Sequence, residues 1–174
     1  PALSTPAEQG IRFANYPPAA NCAPARAMLL TGVNNHLAGV PNIPEMLAPE
    51  QRRHSNYQGV LGNNVVTVAT LLEGAGYHTY MAGKWHLGHK PEYFPHARGF
   101  ERSLSMLFGG ASYWSDMFGL MAEHEETAEY VLDNRRLDEL PGDFYATRSY
   151  TDFLVDSILK NREDGKAFFA YLAF

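Results

Sequence analysis

The chain has 174 residues, of which 45% are hydrophobic and 13% aromatic, enough to build a sizeable core within one domain. Its net charge of -5 gives no electrostatic reason to expect nucleic acid or an anionic membrane as a partner. A single cysteine excludes an internal disulfide framework, and no run approaches the ~18 apolar residues that span a bilayer.

In chain order, residues 1–10 read as a helix ending at Gly10, weakened by Pro6, and Ile11–Tyr16 as a short strand stopped by Pro17 and Pro18. A second helix is expected next. Pro24 suits a first helical residue, Ala25–Leu30 are good helix formers, and Gly32 suits the stop. Residues 33–64, rich in Asn, Pro and Gly, predict a long irregular excursion of the kind that rims a site.

Val66, Ala69, Leu71 and Leu72 predict a helix closing at Gly74–Gly76, and Thr79–Ala82 a buried strand. Residues 88–119 read as loop-rich, with Gly109-Gly110 as a turn, and Glu123–Glu126 as a solvated acidic surface. Tyr150, Phe153, Leu154 and Ile158 share one helical face, with Ser149 and Asp152 spaced as a capping box and Asn161–Gly165 as the end. Ala167–Phe174 is an apolar run expected as a central parallel strand covered on both faces. Helices alternating with buried strands imply an α/β architecture.

Two segments could carry chemistry. In Cys22-Ala23-Pro24-Ala25-Arg26, helical spacing sets a guanidinium about one turn from the sulfur, at a helix N-terminus that favours an oxyanion or a thiolate. Spacing alone leaves open a buried cysteine beside a structural arginine. In Gly83-Lys84-Trp85-His86, extended geometry would project Lys84 and His86 from one side, a cation and an imidazole suited to an anionic substrate. A phosphate loop fails because six residues separate Gly76 from Gly83 and Trp85 replaces the magnesium-holding hydroxyl residue. A zinc site on His86 and His89 lacks a third ligand at suitable spacing, and a surface His and Lys stays open. His36, Tyr113 and Trp114 are candidates for the mouth of a site, with ordinary packing equally open.

Read whole, C-x-P-x-R followed by a hydrophobic helix and Thr31-Gly32 resembles the first signature of the type I sulfatases, formylglycine-dependent members of the alkaline phosphatase superfamily. Gly76 to Gly88, G-Y-x-T-x-x-x-G-K-W-H-L-G, resembles their second. Ala25 departs from the Ser or Thr usual there. Residues 33–64 and the segment around Arg98-Gly99-Phe100 look more like bacterial arylsulfatases than glycosaminoglycan sulfatases.

The resemblance implies that residues 1–174 are the partial N-terminal catalytic domain of a sulfuric ester hydrolase, with part of a large, mostly parallel mixed sheet flanked by helices. It also implies that a maturation enzyme oxidises Cys22 to formylglycine, whose hydrate attacks the sulfur of an aryl or alkyl sulfate ester. A second hydroxyl then releases sulfate. Carried over, residue 22 is nucleophile and metal ligand, and Arg26 stabilises the diol. Lys84 bridges diol and sulfate, and His86 is the base for release. A divalent cation, calcium by family habit, would take acidic ligands expected before Pro1 and after Phe174, so this piece alone is expected to be inactive. The compartment, bacterial cytoplasm or periplasm, stays open, as do a phosphonate or phosphate ester hydrolase and a non-catalytic module binding sulfated ligands.

Overall fold

A computed structural model describes residues 8–120 and 127–174. The acidic cluster at Glu123–Glu126 and most of the expected first helix lie outside the described residues. Three helices, α1 (Cys22–Thr31), α2 (Val68–Gly74) and α3 (Ala146–Asn161), flank a five-stranded sheet. Its strands are β1 (His78–Lys84), β2 (Arg102–Met106), β3 (Tyr130–Leu132), β4 (Arg135–Leu137) and β5 (Phe168–Ala173). They lie in the order β4-β3-β2-β1-β5.

β1 sits between β2 and β5 and runs parallel to both, while β3 and β4 add an antiparallel hairpin beyond β2. Because side chains alternate across a strand, β1 feeds two cores. Met81 packs with Ala23, Ala27 and Leu30 of α1 and Ala69 of α2, whereas Tyr80 and Ala82 pack with Tyr150 and Leu154 of α3. Burial of apolar surface on both faces makes β1 the centre of an α/β/α arrangement.

α1 follows local chemistry closely. Gly32, in the left-handed region at φ 67°, closes it with its N–H donating to the Met28 carbonyl. The helix begins at Cys22, however, so Pro24 is its third residue; a first-turn proline is tolerated there because its missing N–H has no helical partner to lose. α2 is capped by Thr67, whose hydroxyl accepts from the Thr70 N–H and donates to the Arg98 carbonyl. That leaves Val66 outside the helix and exposed.

Four expectations need correction. Ile11–Tyr16 is irregular and exposed, for no strand of the described sheet offers it a partner. The stretch after residue 88 contains β2, whose Ser103 and Ser105 are wholly buried between strands. Alternating small polar residues conceal a strand from a search for apolar runs. α3 starts three residues before Ser149, because Tyr145 joins Trp114 in an isolated bridge and the Ala146 N–H donates to the Tyr113 carbonyl. The loop backbone therefore satisfies the helix entry that a side-chain cap was expected to fill. Finally, β5 pairs in parallel with β1 as expected but is an edge strand among the described residues, with Phe168 and Leu172 exposed.

The segment between α1 and α2 is fixed by polar contacts rather than by periodic packing. The Arg98 side chain, 8% exposed, donates to the carbonyls of Leu61 and Gly62 and to Asn63 Oδ1. Arg52 donates to the carbonyls of Pro44 and Gln58. The Arg52 contact with Pro44 anchors the short helical turn Pro44–Met46.

Candidate active site

The first two turns of α1 and the end of β1 meet at one point. Cys22 opens α1, where four N–H groups lack helical acceptors and the helix dipole is positive, so the position favours negative charge. Its Sγ lies 3.2 Å from Nδ1 of His86. One turn on, Arg26 Nη1 donates to the Lys84 carbonyl at 2.7 Å and to the Tyr171 hydroxyl at 3.1 Å. Arg26 thereby joins α1 to the ends of both β1 and β5, and the expected guanidinium beside the sulfur is in fact engaged by these two oxygens. Its buried Nε has no partner among the described residues.

Lys84 is the last residue of β1 and shares the face of Tyr80 and Ala82, so its side chain runs toward the second core. Nζ donates to the Gly109 carbonyl at 2.5 Å. Beside it is a cavity of about 230 Å³ lined by Lys84, Met106, Tyr113, Leu120, Tyr130 and Tyr150, among others. Most of that wall is aromatic or aliphatic, and the ammonium is its cation.

The extended geometry expected through Trp85 does not hold. Trp85 is buried, donating its indole N–H to the Tyr93 carbonyl, and His86 takes a left-handed backbone at φ 58°. This turn sends the imidazole toward α1 instead of along the Lys84 face. Gly109 nevertheless bridges the two side chains, because its carbonyl holds Lys84 while its missing Cβ makes room for the His86 ring. A Cβ there would stand 2.9 Å from His86 Cε1.

One residue of this site escaped the sequence reading. Both carboxylate oxygens of Glu45 lie 3.2 Å from His86 Nε2. The hydrogen bond from His86, chiefly, holds the Glu45 carboxyl below its ordinary range against an opposing push from burial. A Pro-Glu step inside an irregular segment carries no local signal of such a contact.

Among the other sequence candidates, Tyr113 borders the cavity, Trp114 packs on Tyr145, and His36 bonds the Tyr57 hydroxyl. His89 is engaged by Glu129, which also pairs with Arg136. Among the described residues no group of three or more His, Cys, Asp or Glu side chains stands ready to hold a metal ion. Calcium takes six to eight oxygen ligands, and residue 22, His86 and Glu45 do not make such a shell.

A cysteine at a helix N-terminus in contact with an imidazole, with an arginine and a lysine at the carboxyl ends of the adjoining parallel strands, makes an α/β site of a kind suited to oxyanions. The family model described as Sulfatase matches residues 1–174, and the chain belongs to the sulfatase family. It is 36% identical over 177 residues to an arylsulfatase of Klebsiella aerogenes, covering 100% of this chain and 37% of that protein. It is 35% identical over 185 residues to an uncharacterized sulfatase of Schizosaccharomyces pombe, covering 100% of this chain and 32% of that protein. The chain thus spans about a third of the length of these relatives. Among solved structures it resembles Ps i-CgsB, with a TM-score of 0.65 and 25% identity, covering 88% of this chain and 34% of that one. The PsFucS1 sulfatase from Pseudoalteromonas sp. shares the fold, with a TM-score of 0.62 at 20% identity, covering 90% of this chain and 34% of that one.

Proposed function

We propose that this chain carries the nucleophile side of a sulfuric ester hydrolase that cleaves an aryl or alkyl sulfate to an alcohol or phenol and inorganic sulfate. The observation that carries the reading is the 3.2 Å approach of Cys22 Sγ to His86 Nδ1, with Lys84 and Arg26 converging on the same strand end in a chain of the sulfatase family.

Oxidised by a maturation enzyme to formylglycine and hydrated, residue 22 would supply one hydroxyl to attack sulfur and a second to expel sulfate. The sulfur of Cys22 stands in for those oxygens. His86 Nδ1 is within reach to accept the proton of the second hydroxyl, with geometry suited to a general base. Lys84, whose ammonium borders the cavity, neutralises charge on a sulfate oxygen. Arg26 holds α1 against the ends of β1 and β5, and so fixes the distance between residue 22 and Lys84. The apolar wall of Met106, Tyr113 and Leu120 suits the organic part of the ester.

A divalent cation, expected to be calcium, would take the residue 22 oxygen as one ligand. The described residues do not form the rest of its shell, and no step above depends on it.

The test uses the complete protein. Peptide mass spectrometry should find the mass deficit of a thiol replaced by an aldehyde at residue 22, and aryl sulfate should be hydrolysed faster than the matching aryl phosphonate. Faster phosphonate hydrolysis would assign a different ester, and an unmodified thiol after co-expression with the maturation enzyme would favour a sulfated-ligand binding module.

A further inference from the structure

We propose that Glu45 is a positioning residue for His86: its carboxylate confines the imidazole proton to Nε2, so that Nδ1 presents a lone pair to residue 22. The proposal rests on the hydrolase reading above for its kinetic consequence, but not for its geometry.

A neutral imidazole carries one N–H, and an ionised carboxylate can only accept. Both Glu45 oxygens lie 3.2 Å from Nε2, so the stable arrangement places the proton there. Nδ1, on the opposite side of the ring and 3.2 Å from Cys22 Sγ, is then the acceptor. The reverse tautomer would set two lone pairs against each other at Glu45 and leave Nδ1 a donor, unable to take a proton from residue 22. A carboxylate behind a functional imidazole acts in this way, fixing tautomer and ring orientation.

The surroundings leave the ring little alternative. It is 1% exposed, the backbone of His86 is left-handed, and the ring lies so close to Gly109 that a Cβ there would stand 2.9 Å from Cε1. A buried imidazole with one nitrogen facing residue 22 needs a partner for the other, and among the described residues only Glu45 supplies it. Glu45 reaches that place because Arg52 donates to the Pro44 carbonyl and anchors the turn.

The experiment compares the complete protein with Glu45→Leu, Glu45→Gln, His86→Ala and the Glu45→Leu/His86→Ala double variant. Leucine approximates the shape and removes the acceptor; glutamine restores one acceptor oxygen. On an aryl sulfate, Glu45→Leu is expected to lower kcat about 10- to 100-fold and KM with it, leaving kcat/KM little changed, because release of sulfate becomes the limiting step. Acid-quenched samples should then show sulfate retained on residue 22, Glu45→Gln should recover part of the rate, and Glu45→Leu should add nothing once His86 is alanine. Nitrogen NMR of the His86 ring supplies a readout that needs no turnover: Nε2–H alone in the parent, and a mixture of tautomers in Glu45→Leu. An unchanged tautomer, or losses that multiply in the double variant, would overturn the role. If the parent hydrolyses no sulfate ester, the function proposed above fails while the NMR comparison still decides the part played by Glu45.

Discussion

Cys22 and His86 are 64 residues apart in the chain, yet Sγ of one lies 3.2 Å from Nδ1 of the other. The contact exists because α1 packs Ala23 and Ala27 against Met81 and Trp85, which sets the first turn of the helix beside the end of β1. Replacing Cys22 by Ser removes the thiol that oxidation requires and leaves a single hydroxyl. On the proposed mechanism the complete Cys22→Ser protein accepts sulfate once and cannot release it. Acid-quench mass spectrometry should find at most one retained sulfate and no continuing turnover; sustained hydrolysis would refute the two-hydroxyl mechanism.

Two glycines sharpen the same geometry differently. Gly83 has φ 107°, and a Cβ on it would stand 1.9 Å from the Ala173 carbonyl oxygen of β5. Gly83→Ala should therefore destabilise the complete protein by about 4 kcal/mol or more, read by urea denaturation. At Gly109 the collision is with the His86 ring. Gly109→Ala should cost much less stability but lower kcat about tenfold by displacing the imidazole. Equal effects of the two on stability would contradict this distinction.

Arg98 anchors the long segment to the α2 entry through three acceptors, the carbonyls of Leu61 and Gly62 and the side chain of Asn63. Arg98→Ala orphans them, at about 1–3 kcal/mol for each that water does not reach. A destabilisation of about 3 kcal/mol is expected in denaturant. A value under about 0.5 kcal/mol, typical of surface substitutions, would mean that the anchor is dispensable.

His78 links three elements at the other end of β1. Its ring nitrogens lie 2.5 Å from Glu101, just before β2, and from Asp164, in the turn before β5, and it stacks on Tyr80. The Asp164 hydrogen bond, followed by that of Glu101, raises the His78 pKa above its ordinary 6.5. A raised folded-state value stabilises the fold fully below about pH 6.5 and loses that contribution as pH rises through the raised value. Asp164 is shifted the opposite way by the same contact, so its share is lost only in acid. Thermal melts of the complete protein should show stability declining above about pH 6.5, and His78→Gln should flatten that dependence. An identical slope in both proteins would show that His78 is not its source.

The two motifs were legible because each combines residue types that the chemistry requires with a local element that carries them. Gly32 ends α1 where its left-handed backbone is needed, and His78–Lys84 is a strand because its residues fill cores on both faces. Local spacing also placed α2, most of α3 and the extent of β5. The hairpin of β3 and β4 was not read from the sequence: its strands are three residues each, and its Asp133 turn is braced by Arg102 and the Ser103 N–H of β2.

The sequence by itself supplied the two strings whose resemblance to sulfatase signatures makes Cys22, Lys84 and His86 candidates for nucleophile, cation and base, and it placed Cys22 on a helix and Lys84 at the end of a strand, since helix and strand propensity are properties of neighbouring residues. The tertiary structure alone decided how they meet. It turned His86 out of the strand toward Cys22, assigned Arg26 to Lys84 and Tyr171, and delivered Glu45 from an irregular segment to the far side of the imidazole. Those relations depend on burial and on hydrogen bonds between positions tens of residues apart, which no local pattern encodes.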